Sequence, residues 1–151
     1  MNDNPAKFKD HCLKLLESKI KELTAQIHAV QQSANSETKS TAGDKHETAK
    51  AMAQLEVEML SKQLSELSKS ISALQRLPGN PSKSTAQAGS IVMTDIGSFY
   101  LSVSIGNIEV DGNKVMVIST EAPISKVLIG KQAGDHFDWA GKIVKISGVW
   151  N

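Results

Sequence analysis

The chain has 151 residues, with 17 Lys and Arg against 16 Asp and Glu, for a net charge of +1. That balance gives no general attraction to nucleic acid or to an anionic membrane, and 40 % hydrophobic residues exclude a wholly disordered chain. Cys12 is the only cysteine, no apolar run reaches the length of a membrane span, and Met1 to Lys9 is too polar for a secretory signal, so a soluble cytoplasmic protein is expected.

Glycine and aromatic residues divide the chain in two. Of the 10 glycines only Gly43 precedes residue 79, and Phe8 is the only aromatic residue of the first half. Phe99, Tyr100, Phe137, Trp139 and Trp150 lie in the second. Glycine weakens helices and aromatics favour strands, so the reading is α+β: a helical region over 1–77, a Pro/Gly/Ser-rich linker over 78–89 and a small β-rich domain over 90–151.

In the helical region Leu13, Leu16, Ile20, Leu23, Ile27 and Val30 are spaced three and four apart, as are Ala53, Val57, Leu60, Leu64, Leu67, Ile71 and Leu74. Each is the seam of a coiled coil. Paired antiparallel, Leu13/Ile71 through Val30/Ala53 have index sums of 83 or 84. A hairpin follows, with its bend near Thr41 to Gly43 and its tip over 42–48. The first helix is expected from Pro5 to about Ala34, with the polar run Ser33 to Glu47 turning the chain. The second is expected to stop before Pro78. A monomer is expected, because the two seams satisfy each other.

Beyond the linker, strands are expected at Ile91–Thr94, Phe99–Ile105, Lys114–Ser119, His136–Trp139 and Lys142–Ser147. In the second, Phe99, Leu101, Val103 and Ile105 face one way and Tyr100, Ser102 and Ser104 the other. Asp111-Gly112-Asn113 and Ala140-Gly141 are turn signals. Pro123 to Ile129 reads as one short helix ended by Gly130. The aromatics read as packing residues. A domain of about 60 residues is near the lower limit for a self-sufficient core, so packing against the base of the coiled coil would help it.

The tip reads Ala42-Gly43-Asp44-Lys45-His46-Glu47-Thr48-Ala49. Asp44 and Glu47, three apart, can bring two carboxylates to one side of a helix start, where they can share a divalent cation with another molecule's ligands. The same spacing is that of a helix N-cap. The readings are compatible, since a capped helix start still presents its outer oxygens. No Ser-His-Asp set, phosphate-binding glycine loop or zinc motif is present.

Gly43-Asp44-Lys45-His46-Glu47-Thr48-Ala49 resembles the Gly-Asp-x-x-Glu-Asn-Ala tip of the bacterial transcript-cleavage factors GreA and GreB. The stretch Ile118 to Lys131, with Pro123-Ile124-Ser125-Lys126-Val127-Leu128-Ile129-Gly130-Lys131, is similar to that family's Ser-Pro-Ile-(Ala/Gly)-x-x-Leu-Ile-Gly-Lys signature. The resemblance implies an FKBP-like C-terminal domain without prolyl-isomerase activity. It implies a coiled coil that enters the secondary channel of bacterial RNA polymerase, and contact with the polymerase through Pro123, Ile124, Ser125, Lys126 and Lys131. Ser125 and Lys126 are expected to face outward. Asp44 and Glu47 would help hold a second Mg²⁺ of the polymerase active centre and support cleavage of backtracked RNA, reaching the nascent 3′ end only indirectly. The protein would stimulate an enzyme without being one, and would need no cofactor by itself. Thr48 stands where the family usually has Asn, Ala51 where Tyr is common, and Arg76 is the only arginine; Lys7, Lys9, Lys14, Lys19 and Lys21 are the available substitutes for a basic face. Alternatives are a non-catalytic channel regulator, a coiled-coil adapter for another helical protein, and a prolyl isomerase.

Overall fold

A computed structural model of the protein describes residues 4–40, 44–78 and 83–151, with side chains except at 36–40 and 44–46. Two long helices, α1 (Pro5–Ser40) and α2 (Asp44–Gln75), precede strands β1 (Ile91–Thr94), β2 (Gly97–Ser102), β3 (Gly106–Val110) and β4 (Asn113–Ser119). The short helix α3 (Pro123–Leu128) and strands β5 (His136–Trp139) and β6 (Lys142–Trp150) follow. No helix is long and apolar enough to cross a membrane among the described residues.

The chain packs as two units, one of residues 15–71 and one that joins 1–14 to 72–151. In the first, seam positions are withdrawn from solvent while their neighbours are exposed: Leu23 is buried, and Ile20, Ile27, Val30, Ala53, Val57, Leu60, Leu64 and Leu67 are half-buried. Hollows shared by the helices confirm the antiparallel order, since Leu23 and Gln26 line one with Gln63 and Leu67, and Val30 and Ala34 line another with Ala49 and Ala53. α1 runs to Ser40, past the expected end at Ala34. The polar run from Ser33 contains no proline and no glycine before Gly43, and polarity alone does not end a helix. The expected bend at Thr41 to Gly43 and the linker core at 79–82 lie outside the described residues.

The second unit is built on a six-stranded sheet of order β3-β4-β2-β1-β6-β5. All pairs are antiparallel except β2 with β4, which sets Phe99 beside Met116 and Leu101 beside Ile118. One face carries a core of Val92, Phe99, Leu101, Phe137, Val144 and Ile146, closed by Leu128 of α3 and by Ala86. The other face is not the polar one that alternation suggests. Tyr100 is 1 % exposed and meets Phe8 of the first turns of α1 at a ring-centroid distance of 6.4 Å. Cys12 and Leu74 are fully buried in the same unit. The sheet is therefore covered on both faces at its central strands β1 and β2, while β3, β5 and β6 each keep one face exposed. The strand expected to reach Ile105 ends at Ser102, and β3, which the sequence reading missed, pairs with β4 through the Asp111-Gly112 turn.

The described part of the expected linker is bound to this unit. Ala86 N donates to Lys131 O at 2.7 Å, and Gly130 N donates to Ala86 O at 2.8 Å. Asn151 Nδ2 donates to the carbonyls of Lys83 and Thr85, and Ser90 Oγ donates to Asn151 Oδ1. Backbone satisfaction of this kind makes residues 83–89 part of the fold.

Candidate functional site

Asp44 is the first residue of α2, and its side chain lies outside the described residues. Glu47 stands in the first turn of α2 and is exposed, as is Thr48, while Ala49 is half-buried. A carboxylate so placed suits the positive end of the helix dipole and leaves oxygens available to a ligand. Among the described residues no three His, Cys, Asp or Glu side chains come together as a metal site.

The Pro123 to Lys131 segment has a division of labour that its sequence does not reveal. Pro123 opens α3 and is exposed; Ile124 and Lys131 are half-buried. Lys126 is exposed and lies 3.7 Å from the Glu121 carboxylate, a surface pair of small energetic weight. Ser125 corrects the expectation that it faces outward. It is fully buried, and its Oγ donates to Ser119 O at 2.6 Å, which fastens α3 to the end of β4. A hydroxyl this short of solvent keeps its position only by making such a bond. Leu128 is 0 % exposed in the core, and Gly130 adopts φ +92° where the chain leaves α3. Ser125 and Leu128 therefore serve the fold, and Pro123, Lys126, Ile129 and Gly130 are the exposed members of the motif.

The lysines named as a basic face differ in availability. Lys7 Nζ lies 3.4 Å from Asp111 Oδ2, Lys14 Nζ lies 3.1 Å from Asp10 Oδ2, and Lys9 is half-buried. Lys19 and Lys21 are exposed. Arg76 donates its Nε to the Ser72 carbonyl at 3.3 Å. The sequence reading gave no role to Met52, Leu55 and Met59, which lie off the seam of α2 and are exposed. Their own spacing of three and four was the available signal.

The chain matches no protein-family model and no curated protein. A functional reading rests on its residues and their placement.

Proposed function

We propose that the protein is a Gre-like elongation factor acting on bacterial RNA polymerase in the cytoplasm. In this reading the hairpin enters the secondary channel and the sheet domain, with an FKBP-like fold, binds the polymerase through Pro123, Ile124, Lys126 and Lys131. The observation that carries the proposal is the exposed Glu47 in the first turn of α2, three residues after Asp44 and following a 36-residue antiparallel partner helix. Glu47 offers a hard oxygen donor, which fits Mg²⁺, an ion that typically takes one or two protein carboxylates and completes its shell with water and phosphate. Asp44 would supply the second carboxylate, and the polymerase the remaining ligands. A shared Mg²⁺ supplies charge stabilisation and water activation when bound. The chain's own task is to deliver and orient the two carboxylates, so it stimulates an enzyme and has no turnover alone.

The test uses polymerase halted in a backtracked complex. Wild-type protein should accelerate release of short 3′ RNA fragments, and Glu47→Ala or Asp44→Ala should reduce that stimulation on the order of 10²-fold, the size expected for removing one group that supports transition-state charge. Thr48 and Ala51, which depart from the family pattern, favour a second reading as a non-catalytic channel regulator. Binding with unchanged cleavage would select that reading, and absence of polymerase binding would reject both.

A further inference from the structure

Residues 83–90 form a strap tied through its backbone to the far end of the Pro123 to Lys131 segment. Ala86 N donates to Lys131 O at 2.7 Å, Gly130 N donates to Ala86 O at 2.8 Å, and Thr85 pairs with Gln132 in an antiparallel bridge. Lys131 N donates in turn to Leu128 O at 3.0 Å. Lys131 is thus fixed by α3 through its N–H and by the strap through its carbonyl. Gly130 is exposed, and Ala86 contributes only a methyl group to the core. Isolated backbone bonds of this kind open readily unless the chain that makes them is anchored. The anchor is one side chain. Asn151 Nδ2 donates to the carbonyls of Lys83 and Thr85, and its Oδ1 accepts from Ser90 Oγ, which also accepts from Gln87 N at 2.9 Å. An amide has the two donors and the acceptor needed to grip the strap at both ends.

The strap holds the part of the segment best able to meet a partner. Lys126 lies 3.7 Å from the Glu121 carboxylate, whereas Lys131 forms no ion pair among the described residues. Ile129, two residues before it, is 41 % exposed. We infer that Asn151 is a positioning residue: it clasps residues 83–90 against Gly130 and Lys131, and so presents Ile129 and the Lys131 cation to the polymerase. The presenting role rests on the function proposed above; the clasp itself does not. An Asn151 that only added stability would act on binding independently of Lys131.

Amide hydrogen exchange of the full chain, without polymerase, tests the clasp. Asn151→Ala should speed exchange at Gly130 and Ala86 at least about tenfold and leave the amides of β4 unchanged. A disulfide between Thr85→Cys and Gln132→Cys, which are paired across the bridge, should restore slow exchange in that variant. Titration against polymerase tests the presenting role. Asn151→Ala and Lys131→Ala should each weaken binding at least about fivefold, and the double variant should lose no more than Lys131→Ala alone. The disulfide should recover the loss caused by Asn151→Ala. Unchanged exchange at Gly130 in Asn151→Ala overturns the clasp. Faster exchange with unchanged affinity, or losses that add in the double variant, overturns the presenting role. Wild-type protein that does not bind polymerase rejects the function proposed above and the presenting role with it, while the exchange result still decides the clasp.

Discussion

Single residues of the sheet unit carry measurable consequences. Burial pushes the Cys12 thiol from 9.0 up to about 11, and burial together with the neighbouring Cys12 pushes the Tyr100 hydroxyl above its ordinary range. Both groups are neutral in the folded protein at pH 8, and the unfolded chain loses its thiol proton first as pH rises. Stability is therefore flat below about pH 9 and falls between pH 9 and 11, by roughly 2–3 kcal/mol from Cys12 alone. Urea midpoints measured from pH 8 to 10.5 should show this decline, and Cys12→Ala should flatten it while lowering stability modestly at pH 8 through the lost packing. An unchanged slope in that variant would place the alkaline loss in other groups. A second residue works against the fold. Ala140 sits at φ 51° beside Gly141 at φ 81°, in the two-residue loop between β5 and β6. Such loops favour Asn-Gly, because an L residue with a methyl Cβ is strained at positive φ. Ala140→Asn should raise stability by about 0.5–1 kcal/mol, read as a shift of a few degrees in Tm.

At the scale of elements, the seam and the outer stripe of the hairpin should separate cleanly. Leu23, at 9 % exposure, lies in the seam, and Leu55, at 55 %, lies off it. Leu23→Ala should cost about 2–3 kcal/mol in urea unfolding followed at 222 nm, and Leu55→Ala less than about 0.5 kcal/mol. A comparable loss from Leu55→Ala would show that the outer stripe packs within the chain. The helices were legible because their seams repeat over many turns, so that one doubtful position does not disturb the period. Short strands offer no such redundancy. In β3 only Ile108 is buried, between the exposed Asn107 and Glu109, and Ile108 and Val110 alone in five residues carry little signal beyond the turn that follows. Alternation sets Tyr100 and Ser102 opposite Phe99 and Leu101 without saying what covers either side, and β2 proves central and buried on both. Of the candidate site, Glu47 was placed correctly at a helix start, while the inward turn of Ser125 depends on a hydrogen bond to a carbonyl six residues away, a contact that spacing does not encode.

For the whole molecule, the division into units sets what a substitution can reach. The sheet domain is too small to bury both faces with its own strands, and it completes its second core with Phe8 and Cys12 from the first turns of α1 and Leu74 from the last turn of α2. The helix ends thus belong energetically with the sheet, although in sequence they are more than 60 residues away or on the far side of the linker. Phe8→Ala should cost about 3–5 kcal/mol and open a cavity against Tyr100. Its sharpest readout is the thiol of Cys12, which reacts only when this unit opens. At pH 8, labelling of Cys12 by an aromatic disulfide should quicken on the order of 10²-fold in Phe8→Ala and less than about threefold in Leu60→Ala, whose seam position lies in the other unit. Equal acceleration in the two variants would show that the helices and the sheet open as one cooperative body, and that packing does not insulate the sheet from the hairpin beyond residue 14.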